Sequence, residues 1–318
     1  MTDPISIASS SRDYRAELGE AITALNQIIL GKAEQIDLAI TCLLAGGHLL
    51  IEDVPGVGKT TLARALARIL GLDFARIQFT SDLLPADVTG ISVYQKNEGT
   101  FRFNPGPVFT QMLLADEINR ATPKAQSALL EAMQERQVTV DGERYELPSP
   151  FFVVATQNPA DQIGTFELPE SQLDRFLMTI NLGYPNPDAE RQLLEGVRTA
   201  QHIEESAATL SADKIAALQR QVREVRISGP LLDYLQALIA YTRNSQDLVA
   251  GLSPRAAIAM TNASRAHALI QGRDAVYPED LQSVFPSIVK HRLTSKTATH
   301  AHDDDTIAQQ ILDAVAIP

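Results

Sequence analysis

Cysteine is nearly missing from this chain. Cys42 stands alone among 318 residues, so no disulfide can close within the chain and a reducing compartment, the cytoplasm, is expected. It lies inside the apolar segment Ile36–Ala45 with no basic neighbour, which suits a small buried side chain better than a reactive thiol. No apolar run is long enough to cross a bilayer. Met1-Thr2-Asp3-Pro4 lacks the basic stretch and apolar core of a signal peptide, so neither leader nor membrane segment is expected. Positive charge is scarce too. The net charge is −12, with 14 Lys and Arg against 23 Asp and Glu up to Pro185 and 13 against 16 beyond it. Neither half is basic, which argues against long-range capture of nucleic acid or of an anionic membrane. There is no internal repeat and no long low-complexity tract.

What is present reads as an ordinary globular chain, long enough for two domains and sizeable cores. Leu18, Ile22, Leu25, Ile28 and Ile29 recur at helical spacing, Gly31 breaks the pattern, and Ile36–Leu44 resumes it. Short apolar runs follow at His48–Ile51, Phe74–Phe79, Met112–Ala115, Phe151–Ala155 and Leu177–Leu182, separated by helical segments. That alternation predicts an α/β domain with a central parallel sheet. Two β-hairpins interrupt it. Ile91–Phe103 turns around Asn97-Glu98-Gly99, and Val138–Leu147 turns at Asp141-Gly142, a favoured two-residue hairpin turn. Gly183-Tyr184-Pro185-Asn186-Pro187 marks the expected boundary, dividing 1–185 from 186–318. Beyond it the pattern is all-helical, with segments near 188–200, 211–224, 230–243, 254–271, 278–291 and 305–315.

Between the first apolar run and the helix that follows stands Asp53-Val54-Pro55-Gly56-Val57-Gly58-Lys59-Thr60-Thr61. A glycine-rich loop between strand and helix can wrap the phosphates of a nucleotide. Gly56 and Gly58 let backbone N–H groups turn inward, and the following helix aims its positive end at the same anion. Lys59 can reach the β and γ phosphates, and the Thr60 hydroxyl can hold Mg²⁺. The strict pattern has Gly where Asp53 stands. A plain glycine turn is the alternative, but it leaves the Gly-Lys-Thr-Thr run without a reason.

Three further signals accompany the loop. Met112-Leu113-Leu114-Ala115-Asp116-Glu117 delivers two carboxylates at the carboxyl end of an apolar strand, where α/β sheets place ligands. Asp116 suits Mg²⁺ and Glu117 suits activation of a water; standing alone, such a pair is a solvated turn. Phe151–Ala155 runs into Thr156-Gln157-Asn158-Pro159, where Asn158 can align the γ-phosphate and the attacking water or merely cap a turn. Arg175, in Gln172-Leu173-Asp174-Arg175-Phe176, and Arg255, in Ser253-Pro254-Arg255-Ala256, can each neutralise charge on a γ-phosphate or serve as surface salt-bridge partners.

Together these segments, with Ala115-Asp116-Glu117-Ile118-Asn119-Arg120-Ala121, resemble the MoxR branch of the AAA+ ATPases over about residues 15–315. The resemblance implies an ATPase using ATP and Mg²⁺. It gives Walker A roles to Lys59 and Thr60, Walker B roles to Asp116 and Glu117, and the sensor 1 role to Asn158. Arg175 becomes the arginine finger and Arg255 sensor 2, in cis or in trans. It further implies a homo-oligomeric ring, usually hexameric, and a helical lid domain. The hairpins fall at the helix-2 and pre-sensor-1 inserts, and Ile29-Leu30-Gly31 at the segment bordering adenine. Family partners are von Willebrand factor A domain proteins, and the family's work is chaperone-like remodelling or metal-cofactor insertion. Asp53 resembles this branch rather than departing from it.

Weaker features read more plainly. Phe101 and Phe103 share a hairpin face with Tyr94 across the turn, and packing onto their own domain is expected. His300, His302 and Asp303-Asp304-Asp305 fit no defined metal motif. His291-Arg292 suits the carbonyl end of a helix. Two rival functions stay open: a nucleic-acid motor of the same clade, disfavoured by the −12 charge, and a nucleotide-gated switch with little catalysis, disfavoured by Glu117 and Arg175.

Overall fold

The computed structural model describes residues 5–158, 165–195, 199–296 and 304–317. Two helices lead, α1 (Ile5–Ile28) and α2 (Ala33–Leu44). Five strands then form one sheet: β1 (Leu49–Glu52), β2 (Phe74–Gln78), β5 (Met112–Asp116), β8 (Phe152–Gln157) and β9 (Met178–Ile180). Their order across the sheet is β2-β5-β8-β1-β9, and every pairing is parallel. Helix α3 (Lys59–Leu70) follows β1, a short α4 (Pro85–Thr89) follows β2, and α5 (Pro123–Glu135) follows β5. The expected strands are all found, each within two residues of its predicted start.

Side chains along a strand alternate between the two faces of a sheet. Leu49, Ile51, Met112, Leu114, Phe152 and Val154 turn to one face, where they meet α1, α2 and α3. Leu50, Leu113, Ala115, Val153 and Ala155 turn to the other, against Leu129, Leu130 and Met133 of α5. Burying both faces is why these strands read as continuous apolar runs, each Leu, Ile, Val, Phe or Met among them contributing about 1.5–3 kcal/mol.

Both hairpins lie outside the main sheet. One pairs β3 (Gly90–Gln95) with β4 (Thr100–Pro105), the other β6 (Gln137–Val140) with β7 (Glu143–Glu146). Asp141 at φ +50° and Gly142 at φ +86° give the second its two-residue turn of positive φ. Tyr94 stands opposite Phe101, and Ser92 opposite Phe103. Phe103 packs within the domain as expected, stacking on Tyr145 of the other hairpin at 4.0 Å, whereas Phe101 does not and stays 73 % exposed.

Past β9 the described elements are helical: α6 (Glu170–Leu173) just precedes it, and α7 (Pro187–Leu194), α8 (Thr199–Glu205), α9 (Ala212–Glu224), α10 (Gly229–Asn244), α11 (Pro254–Ile270), α12 (Pro278–Val289) and α13 (Asp304–Ala314) follow. One expected element differs. The segment near 188–200 is not a single helix; α7 ends at Leu194, and the apolar Ile203 belongs to a second helix. The core of the first sheet face runs on without a break into α9, α10, α11 and α12. Cys42 is buried and unpaired, and burial pushes its thiol pKa far up. His300, His302 and Asp303 lie outside the described residues; among the described ones no cluster of metal-ligating side chains occurs. No described helix is long and apolar enough to cross a membrane.

Candidate functional site

Strand β1 ends at Glu52 and α3 begins at Lys59, so residues 53–58 form the intervening loop. Gly56 has φ +88° and Gly58 φ +99°, yet a Cβ at either position meets nothing within 4 Å. Glycine is required there by backbone conformation and not by space. Gly58 caps α3, so the helix N-terminus opens on the concave side of the loop. Lys59 is only 8 % exposed. Its Nζ donates to the Asp53 carbonyl and to Asn158 Oδ1 at 3.0 Å. Burial lowers its pKa, opposed by the carboxylates of Asp53, Asp116, Glu117 and Glu52.

The Asp53 carboxylate accepts from Val54 N at 2.8 Å and from Gly183 N at 2.6 Å, tying the loop to the chain leaving β9. That bond accounts for aspartate in place of glycine. Thr60 is half-buried in the first turn of α3, and Pro55 is exposed on the loop. Val57 and Thr61 line a cleft of about 220 Å³ with Ile28, Ile29, Leu30, Leu182, Tyr184 and Leu193. This apolar cleft beside the glycine loop is bordered by the Ile29-Leu30 segment named from sequence.

Asp116 closes β5. Its Oδ1 accepts from Thr156 Oγ1 at 2.7 Å, and its Oδ2 pairs with Arg76 at 2.6 Å. Glu117 adopts φ +55°, which turns its side chain off the strand path, and its N–H donates to the same Thr156 hydroxyl at 2.8 Å. Asn158, just past β8, is 4 % exposed. It donates from Nδ2 to Glu117 Oε1 at 3.1 Å while its Oδ1 accepts from Lys59. Lys59, Asn158 and Glu117 therefore form one hydrogen-bonded chain, with Asp116 beside it, at the carboxyl ends of three adjacent strands.

Arg175 and Arg255 are elsewhere. Leu177 N donates to the carbonyl of His48, so the segment carrying Arg175 meets the amino end of β1. From His48 to Asp53 the extended chain covers about 17 Å. Arg175 donates to the Leu130 carbonyl at 2.7 Å, and Arg255 Nη1 lies 3.9 Å from Asp174 Oδ2. Both line a second cleft of about 250 Å³ with Arg136, Arg292, His48 and Asp174. The two arginines are brought to each other, and neither is brought to Lys59.

Residues 48–178 match the ATPase family associated with various cellular activities (AAA), and residues 240–313 match the AAA lid domain. The chain is 44 % identical over 308 residues to the uncharacterized protein YeaC of Bacillus subtilis, covering 96 % of each. To the chaperone MoxR1 of Mycobacterium tuberculosis it is 39 % identical, over 95 % of this chain and 82 % of that one. The chain belongs to the MoxR family of AAA ATPases. Within the solved structures, that of a candidate ATPase from Cytophaga hutchinsonii superposes with a TM-score of 0.90 at 37 % identity over 98 % of both chains.

Gln78 and Lys32 of this MoxR-family site were passed over in the sequence. Gln78 ends β2 opposite Asp116 and donates to Glu117 Oε2 at 2.8 Å, and Arg120 reaches the same oxygen at 2.9 Å. The only sequence signal of Gln78 is a polar residue at a strand end, which needs the strand order to be read, whereas Arg120 sits in the short turn Ile118–Arg120 of the quoted segment. Lys32 donates to the carbonyls of Leu182 and Tyr184 beneath the apolar cleft. The reading of His291-Arg292 as helix-end cations is corrected. Arg292 does bond the Ile288 carbonyl, but most of its bonds go to the turn around Arg175. His291 bonds the Phe176 carbonyl at 3.1 Å and Thr179 Oγ1 at 2.8 Å, and burial holds its pKa well below the ordinary histidine value.

Proposed function

We propose that this chain hydrolyses ATP to ADP and phosphate within a homo-oligomeric ring, usually of six, and transmits the motion to a partner protein. The observation that carries the reading is the division of the site. Lys59, Asp116, Glu117 and Asn158 stand together at the carboxyl ends of the strands, while Arg175 and Arg255 share a cleft at the amino ends. A chain with that layout completes its site only with a second copy.

The fit to a magnesium nucleotide is good. Gly56, Gly58 and the α3 N-terminus offer inward N–H groups for phosphates, and the 220 Å³ apolar cleft suits a base. A carboxylate and a hydroxyl, Asp116 and Thr60, are oxygen donors of the hard kind Mg²⁺ takes. Mg²⁺ held by these two residues would neutralise negative charge on the phosphates. Lys59 exchanges its bond to the Asp53 carbonyl for phosphate oxygens. Asn158 orients the attacking water, and Glu117 takes its proton. Arg175 and Arg255 of a neighbour, both in trans, neutralise the charge that develops on the γ-phosphate.

We further assign residues 1–185 to the nucleotide-binding core and 186–318 to the lid, and place the protein in the cytoplasm. A von Willebrand factor A domain protein fits as partner, with chaperone-like maturation, complex assembly or metal-cofactor insertion as the outcome. Phosphate release at concentrations favouring assembly is the test. Glu117→Gln keeps nucleotide affinity and lowers kcat by about 10²–10⁴, the value of a general base. Equal turnover by wild type and variant contradicts the enzyme reading and leaves a binding switch.

A further inference from the structure

Arg292 follows α12 in the helical region, yet its guanidinium is buried in the turn that carries Arg175. Its side chain is 6 % exposed. Nε donates to Asp174 Oδ1 at 2.8 Å, Nη1 to the Leu177 carbonyl at 3.2 Å, and Nη2 to the carbonyls of Phe176 at 2.6 Å and Asp174 at 3.4 Å. These acceptors bracket Arg175 on both sides. The other Asp174 oxygen faces Arg255. The turn is also held to the core, where Arg175 donates to the Leu130 carbonyl, Leu177 N to the His48 carbonyl, and Phe176 is buried. The backbone beneath Arg175 is thus anchored to the helical region by one planar fork, a geometry an ammonium cannot reproduce.

We propose that Arg292 is a positioning residue for Arg175, which with Asp174 makes the arginine turn move as one body with the helical region. The inference rests on the proposed action of Arg175 on a neighbouring copy. Leu193 of α7, past the 185/186 boundary, lines the apolar cleft beside the glycine loop, so a base bound there would touch the helical part of the chain. A shift of that region in one protomer then resets the arginine offered to the next. A misplacement of about 1 Å at a reacting centre lowers turnover by about 10²-fold.

The test is pairwise complementation, with chains mixed before assembly and phosphate release measured. Mixing Glu117→Gln, whose arginine is intact, with Arg175→Ala, whose loop and carboxylates are intact, is the control; restored turnover supports action in trans. Arg292→Met keeps its ATP affinity but loses kcat by about 10–100-fold. Mixed with Glu117→Gln it recovers turnover; mixed with Arg175→Ala it does not, because both lack a working arginine. A purely structural role gives the opposite result: Arg292→Met then rescues Arg175→Ala, and the proposal is overturned. Asp174→Asn, nearly isosteric, repeats the pattern with a smaller loss and carries the test should Arg292→Met not fold. A silent control removes the trans reading and this proposal with it, whereas a working control with rescue of Arg175→Ala removes this proposal alone.

Discussion

Single side chains here do two jobs, and the buried ones are the most constrained. Lys59 and Glu117 share Asn158, so the loop, the second strand end and the third are set by one amide. His48 shows the same economy away from the chemistry. Its Nδ1 accepts from Val153 N at 3.0 Å, so Nε2 carries the proton and donates to the Met133 carbonyl at 3.3 Å. Only the neutral ring makes both bonds. Burial, helped by Arg136, lowers its pKa to about 4. An unfolded chain binds a proton near pH 6.5 that the folded one refuses, so this contribution is complete above pH 6.5 and is lost as pH falls toward 4. Thermal melts are expected to drop over that window, with His291 acting in the same direction. Replacing His48 with Gln should flatten part of that slope; an unchanged slope would show that the ring is not refused its proton.

At the scale of elements, the strand–loop–helix unit and both carboxylates were legible because each is a local pattern: an apolar run, a glycine loop, a polar terminus. The hairpin turn at Asp141-Gly142 was legible for the same reason, since its two residues tolerate positive φ. What was not legible depended on neighbours distant in sequence. Gln78 meets Glu117 only because β2 lies beside β5, and Arg292 meets Asp174 across 118 residues. Gly47 is another case. It reads as an ordinary turn residue, yet a Cβ there would stand 2.3 Å from the Leu177 Cβ. The approach lets the α2–β1 turn pass against the start of β9. Gly47→Ala is expected to destabilise the fold by about 1–3 kcal/mol, the usual result of overpacking. Denaturant unfolding at constant m-value checks it, and an unchanged midpoint would mean the turn simply moves aside.

At the scale of the whole molecule, the two ends of the central sheet carry different sets of side chains. One end of its sheet carries a loop, two carboxylates and an amide; the other carries a cleft holding Arg136, Arg175, Arg255 and Arg292. The ends are about 17 Å apart along β1, beyond the reach of an arginine side chain. In the proposed ring, opposite ends of neighbouring copies would meet head to tail, the kind of contact that can close on itself. Removing an arginine that completes such a site lowers kcat by about 10³–10⁵. Phosphate release by a mixture of Glu117→Gln and Arg175→Ala chains, each silent alone, tests this most directly. Turnover that returns on mixing is the predicted result; a mixture as silent as its components, although assembled and holding nucleotide, would contradict a site built from two copies.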